Sequence, residues 1–284
     1  MNSTWINGRR RGSLDPGDRG LHYGDGLFET MCVQQSEIRL LEFHLERLYA
    51  GCRRLKIAAP APRQLRAELR RIAGSGRDAI LKLIITRGST LKGVRPGYRP
   101  SGKERATRIV NLYALAPAAR GPAARGADAS IPVRIRLCRT PASISPALAG
   151  LKTLNRLESV IARSEWTDPR IWDGLMADVD GHWVCGTMSN LFLRRGGMLW
   201  TPPVDRSGVA GVMRRWVLQV APTLQLQARQ RRICWADLAS ADEMFLTNAV
   251  AGIKSVSSIA GRAKPLHFAE FDAARRLRGL LEAL

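Results

Sequence analysis

The residue of this chain best suited to covalent chemistry is Lys152, set in Leu151-Lys152-Thr153-Leu154-Asn155-Arg156-Leu157-Glu158. Only seven of the 45 Lys and Arg residues are lysines, so nearly all the positive charge is guanidinium. Guanidinium stays charged at any working pH, whereas a deprotonated amine can join a carbonyl as a Schiff base and carry protons. A second suggestive stretch is Gly208-Val209-Ala210-Gly211-Val212-Met213-Arg214. A glycine-rich entry to a helix leaves N–H groups unpaired at the positive end of the dipole, which suits an anion. A third, from Asp18-Arg19 to Thr30, packs glycines ahead of an apolar strand, where backbone can approach a ligand closely. Each stretch also has a plainer reading: a solvated lysine beside a helix, an ordinary helix start, and a turn.

The elements that must position these residues follow from periodicity. Residues 140–150 are rich in Pro, Ser, Ala and Gly, and Leu157, Val160, Ile161 and Ser164 have helical spacing. Lys152 is therefore expected where a loop enters a helix that runs to about Thr167. Leu45, Leu48, Cys52 and Leu55 recur at spacings of three and four, which predicts an amphipathic helix from Leu41 to Ile57 with Arg47 off the apolar stripe. A second helix is expected from Pro62 to Ala73, ending at Gly74, and a closing helix from Phe268 to Leu284. Strands are expected around Trp5-Ile6, from Leu27 to Val33, Ala79 to Thr86, Arg108 to Leu115, Ile131 to Cys138 and Asp173 to Asp178. Val179-Asp180-Gly181-His182 reads as a hairpin turn, followed by strands through Leu191-Phe192, Met198 to Trp200 and Asp242 to Val250. The loop from Arg87 to Glu104 is long enough to be functional.

A chain of 284 residues exceeds an average single domain. The stretch 114–130, almost without large side chains, is the best linker candidate, which gives domains 1–118 and 131–284 joined by 119–130. The net charge of +21 and isoelectric point near 11.2 would suit a polyanion partner, but the arginines are spread over the whole chain without an interleaved aromatic stripe. No specific nucleic-acid partner is expected. Five cysteines without paired spacing point to reduced thiols and a cytoplasmic compartment. No apolar run approaches the roughly 18 residues of a membrane span, and four scattered histidines suggest no metal site.

Together the segments resemble the fold type IV, class IV aminotransferase-like family of pyridoxal-phosphate enzymes. The blocks that carry the resemblance are Asp18-Arg19 with Tyr23 to Thr30, His44 to Leu48, Lys152 to Glu158, Asn190-Leu191-Phe192, Thr201-Pro202, Gly211 to Arg214, and Asn248-Ala249. The resemblance implies an α/β (α+β) two-domain fold, a smaller N-terminal α/β domain and a larger C-terminal one, with pyridoxal 5'-phosphate in the cleft. It implies that Lys152 is the Schiff-base lysine, that Arg47 holds the phosphate with the amides of Val212 and Met213, and that Asn248 and Ala249 close its other side. The Lys-x-Leu-Asn-Arg-Leu-Glu string favours the branch that splits 4-amino-4-deoxychorismate into 4-aminobenzoate and pyruvate, a step toward folate, over D-amino-acid and branched-chain aminotransferases. Thr30, Arg87, Arg95 and Arg156 are the candidates for holding the small-molecule substrate, and a homodimer is implied.

One position departs from the pattern. The family's glutamate partner of the pyridine nitrogen is replaced by Cys185. A thiol with a free pKa of about 8.5 cannot hold that nitrogen protonated as a carboxylate does. The departure leaves room for a lyase working with a neutral ring nitrogen, for another residue reaching in, or for a homologue of weakened or lost activity that binds polyanions.

Overall fold

The computed structural model describes residues 2–74, 78–90, 97–114, 131–261 and 264–283. It divides into two compact units, Met1–Ala116 with Leu151–Asn155, and Pro117–Gly150 with Arg156–Leu284. The short strip carrying Lys152 thus belongs with the N-terminal part of the chain, not with the C-terminal domain where the sequence put it. The expected linker 119–130 lies outside the described residues.

The first unit is a six-stranded antiparallel sheet with helices on one face. Its strands are β1 (Ser3–Ile6), β2 (Arg9–Arg10), β3 (Gly26–Gln34), β4 (Glu37–Ile38), β5 (Ala79–Thr86) and β6 (Thr107–Ala114), in the order β2-β1-β6-β5-β3-β4. A five-residue helix, α1 (Arg19–Tyr23), precedes β3, and α2 (Leu41–Leu55) and α3 (Pro62–Ala73) follow it. Alternation along β3 sends Leu27, Met31 and Val33 into a core with Leu81, Leu83 and Ile85 of β5 and with Leu45, Leu48, Leu65 and Leu69 of the helices. Each of these side chains is at most 3% exposed.

The Lys152 strip joins this sheet instead of starting a helix. Phe28 N donates to Lys152 O at 2.9 Å, Leu154 N donates to Gly26 O at 3.0 Å, and Leu27 pairs with Thr153 in an antiparallel bridge. The helix expected here, α4 (Leu157–Arg163), begins five residues later and stops short of Thr167. It ends early because Glu165 turns away to accept from the backbone N–H groups of Arg139 (2.9 Å) and Thr140 (2.8 Å), while Trp166 Nε1 donates to Ile171 O.

The second unit is built on a nine-stranded mixed sheet: β7 (Val133–Leu137), β8 (Ile171–Ala177), β9 (Trp183–Gly186), β10 (Asn190–Arg195), β11 (Met198–Thr201), β12 (Gln227–Gln230), β13 (Glu243–Asn248), β14 (Gly252–Ala260) and β15 (Leu266–His267). The path β12-β11-β10-β13-β14-β7-β8-β9 returns to β10 through the pair Asn190 and Cys185, so six strands close into a ring. Leu191, Leu193, Met244, Leu246 and Val256 fill one face. Phe192 and Phe245 stack on the other, with ring centroids 5.0 Å apart. Helices α5 (Val212–Val220), α6 (Trp235–Ala239) and α7 (Asp272–Glu282) complete the unit. The closing helix starts four residues later than the sequence suggested, and β14, rich in serine and carrying the fully buried Lys254, was not anticipated.

Candidate active site

Lys152 is held by its own backbone. With its carbonyl accepting from Phe28 N, its side chain lies on the face of β3 occupied by Phe28, and Nζ stands 4.2 Å from the centroid of that ring. The same ring is approached by a second ammonium group, Lys82 Nζ at 5.3 Å. Lys82 lies directly across the ladder from Thr30, so Lys152, Phe28, Thr30 and Lys82 share one side of the sheet. Two ammonium groups around one aromatic ring concentrate positive charge on this side of the sheet. Sequence reasoning missed Lys82, although its rarity as one of seven lysines, at a strand position of a chain otherwise charged by arginine, was a visible signal.

The opposite side of β3 carries a buried charge cluster. Glu29 is 1% exposed and accepts from Arg47 Nε at 2.8 Å, from Arg47 Nη2, and from His44 Nδ1 at 2.6 Å. Burial alone would raise the Glu29 carboxyl, but the Arg47 charge and the His44 hydrogen bond outweigh it and bring the pKa down to about 2. Burial also lowers His44, against the pull of Glu29, so the imidazole is neutral, with its Nδ1 proton on Glu29. His44 Nε2 is buried without a partner. His44 and Arg47 fall on one face of α2 because they are three residues apart.

One of the arginines expected to hold substrate, Arg87, has other partners. Arg87 donates to Asp25 (2.8 and 3.0 Å) and to the carbonyls of Leu55 and Lys56 (both 2.8 Å). The buried Arg19 shares Asp25 and holds the carbonyls of Gly97 and Tyr98. These arginines brace the turn before β3. Arg95 lies outside the described residues. Asn155 Nδ2 donates to the carbonyl of Gly24, a left-handed residue (φ 63°) that ends α1.

In the second unit the remaining candidates gather along one row of the closed sheet. Cys185 pairs with Asn190, Asn190 pairs with Thr247, and Asn248 follows directly. Asn190 Nδ2 donates to Val209 O at 2.9 Å, just ahead of α5, and a Cβ on Gly211 would lie 1.9 Å from Asn190 Oδ1. A side chain added at that helix start forces Asn190 or the first turn to shift. The first turn of α5 has no acidic residue and no side-chain cap, and its first helical bond is Arg215 N to Gly211 O, so the amides of Val212 and Met213 have no carbonyl behind them in the helix. Arg214, 5% exposed, adds a cation there, with its donors on Thr201, Pro202 O and Gln230. Burial lowers its pKa to about 10, so it remains charged at neutral pH. A positive helix end reinforced by arginine is electrostatically incomplete without an anion. Thr247 Oγ1, buried without a partner on the strand beside Asn190, is a further unspent polar atom. Asn248 Oδ1 closes the next turn by accepting from Val250 N (3.0 Å) and Ala251 N (2.7 Å), with Ala249 between them.

Cys185 is partly buried, and burial pushes its thiol up to about 12, helped by Asp173 and Glu158 and opposed by Arg156. The thiol is neutral. Below it, the fully buried Asp173 accepts from Gly174 N, Thr187 N, Thr187 Oγ1 and Ser189 Oγ at 2.6 to 3.0 Å, fixing the turn between β9 and β10. Arg156 sits at the start of α4, 3.9 Å from Glu158. Asp178, Asp180 and His182 bring one ligand atom each within 4.8 Å of one another. Asp178 already accepts the backbone N–H groups of Asp180 and His182, and Asp180 pairs with Arg206 at 2.8 Å, so this group is accounted for as a hairpin turn.

Each unit by itself carries donors suited to part of a phosphate-bearing aldehyde: the first an amine and an arginine fork, the second a helix start with open amides. Residues 26–259 match the family described as amino-transferase class IV. The aminodeoxychorismate lyase of Vibrio harveyi is 32% identical over 277 residues, spanning 98% of each chain. A putative branched-chain-amino-acid aminotransferase of Methanocaldococcus jannaschii is 31% identical, over 86% of this chain and 82% of the relative. Among solved structures, the 4-amino-4-deoxychorismate lyase of Pseudomonas aeruginosa superimposes with a TM-score of 0.86 at 40% identity, covering 99% of this chain and 98% of that one. The chain therefore belongs to the class IV amino-transferase family of fold type IV pyridoxal-phosphate enzymes.

Proposed function

We propose that the chain is a pyridoxal-phosphate-dependent lyase that releases pyruvate from 4-amino-4-deoxychorismate and leaves 4-aminobenzoate. The observation that carries this reading is the placement of Lys152 Nζ over Phe28 by a backbone pinned to β3, in a chain whose relatives include lyases of that name over nearly full length. When bound, the cofactor supplies an electrophilic carbonyl for the substrate amine and a ring that takes up negative charge.

The chain's residues supply the rest. Lys152 is the amine that would hold the cofactor's aldehyde, and its Nζ would take the proton from the amine-bearing ring carbon as the bond from the neighbouring carbon to the ether oxygen breaks. The departing enolpyruvyl group takes its proton at the methylene carbon from the same amine. Arg47 in the first unit, and the amides of Val212 and Met213 with the turn at Asn248 and Ala249 in the second, are the groups that would hold the phosphate. Lys82, Thr30 and Arg156 are the groups we assign to the substrate's polar and acidic substituents; Arg87 is left out because its donors are committed to Asp25 and two carbonyls.

Cys185 decides between this reading and its nearest rival, amino transfer by the same fold. A thiol pushed up to about 12 offers the pyridine nitrogen at most a weak hydrogen bond and no negative charge to hold a proton there. Amino transfer depends on a protonated ring, whereas loss of pyruvate is helped by formation of an aromatic product. Among the described residues no helix is long and apolar enough to cross a membrane, and we place the enzyme in the cytoplasm on its five free cysteines. Leu157, Val160 and Ile161 of α4 are 75%, 57% and 57% exposed, an apolar stripe we assign to contact with a second copy. A pyruvate-release assay beside a keto-acid amination assay tests the reading. Pyruvate release should dominate, and amino transfer without pyruvate release would reverse the assignment.

A further inference from the structure

The cluster under β3 sets a buried carboxylate against the arginine assigned to the phosphate. Glu29 and Arg47 belong to different elements, strand and helix, 18 positions apart, and Glu29 takes the guanidinium at two nitrogens, Nε (2.8 Å) and Nη2. Two-point contact fixes the plane of a guanidinium and the direction of its opposite edge. Glu29 is in turn held by His44 Nδ1 at 2.6 Å, and His44 is 1% exposed on the same helix. The carboxylate thus cannot swing without losing a buried partner. The charges felt by His44 are those of Glu29, Arg47 and, more weakly and from the other side of β3, Lys152.

Two consequences of the carboxylate oppose each other. Its negative charge weakens the pull of Arg47 on a dianion, while its clamp removes the freedom that a long side chain would otherwise lose on binding. Arg47 is only 12% exposed in its side chain and Glu29 2%, so the clamp is rigid. We propose that Glu29, braced by His44, is a positioning residue for phosphate capture: it aims the Arg47 guanidinium at the phosphate of the cofactor, and orientation outweighs repulsion. This rests on the reading of Arg47 given under the proposed function.

The test compares pyridoxal 5'-phosphate with pyridoxal, which lacks the phosphate, on the full-length chain. Binding is followed by the visible absorbance of the lysine-bound aldehyde and by protein fluorescence. In Glu29→Gln the affinity for pyridoxal 5'-phosphate should fall about tenfold or more, the scale of a lost charge-assisted contact. Pyridoxal should change by less than about threefold. Equal losses for both ligands would mean a merely structural role, and unchanged or tighter binding of the phosphate ester would mean that Glu29 is only a counter-charge; either result overturns the proposal. Should Glu29→Gln fail to fold, Glu29→Asp, which keeps the charge on a shorter arm, must lower the same ratio, and an unchanged ratio overturns the idea. A wild-type chain that binds both ligands equally would instead overturn the assignment of Arg47 itself.

Discussion

Lys152 Nζ lies 4.2 Å from the centre of the Phe28 ring, and the two residues are joined again through the Phe28 N to Lys152 O hydrogen bond of 2.9 Å. The reactive amine is thereby fixed at both ends of its residue, by backbone pairing and by an aromatic face. Phe28→Leu keeps the apolar volume and the backbone bond but removes the ring. Turnover should fall by about tenfold, for a contact worth about 1 kcal/mol or more, with the cofactor still bound. Stopped-flow measurement of pyruvate release at saturating cofactor checks this, and an unaltered rate would show the ring to be packing only.

Cys185→Glu puts a carboxylate at the position we propose for the partner of the ring nitrogen. The ratio of amino transfer to pyruvate release should rise by about tenfold or more, the scale of one general acid or base contribution. Parallel assays with a keto acid and with the aminated cyclohexadiene measure the ratio. A fall in both activities with the cofactor retained would count against a neutral ring nitrogen.

Gly211→Ala tests the helix start. The new Cβ would sit 1.9 Å from Asn190 Oδ1, so either Asn190 or the first turn of α5 must move. Stability should drop by about 1 to 3 kcal/mol, and affinity for inorganic phosphate as a competitor of the cofactor should weaken. Thermal melting and competition titration read the two effects. Loss of stability without loss of phosphate affinity would remove the amides of Val212 and Met213 from the phosphate site.

The Glu29 cluster gives a pH dependence with a defined sign. Glu29 has its folded pKa depressed to about 2 from the ordinary 4.5, so the stability it contributes is present above pH 4.5 and is lost as pH falls from there toward 2. The shift corresponds to something on the order of 3 kcal/mol. His44 is also lowered, which means that the unfolded chain takes up its proton first and stability begins to fall below about pH 6.5. Melting temperature against pH should therefore decline from near neutrality downward, and His44→Gln should flatten the upper part of that decline. A variant curve parallel to wild type would show that the imidazole is protonated in the folded chain.

How much of this was legible depended on the range of the contacts. Helix α3 runs over the expected residues because Pro62 opens it, apolar side chains recur at helical spacing, and Gly74 ends it. Strand β5 was likewise visible as an apolar run. Strand β14 was not, since Lys254, Ser255 and Ser258 read as polar although all are buried between β13 and β7. Lys152 was identifiable by its chemistry, but its extended setting comes from pairing with β3, more than a hundred residues earlier, which local spacing cannot reveal. Arg87 looked like a substrate arginine because its partner Asp25 is 62 positions away. The His44 and Arg47 spacing pointed to one helix face, yet nothing local marked Glu29 as the acid they share.

The most direct test of the account is to reduce the protein with borohydride after adding pyridoxal 5'-phosphate, digest it, and locate the modified lysine by mass spectrometry. A single phosphopyridoxyl label is expected on Lys152, with none on Lys82 or Lys254, and Lys152→Ala should lose both the label and pyruvate release. A label on another lysine, or full pyruvate release by Lys152→Ala, would contradict it.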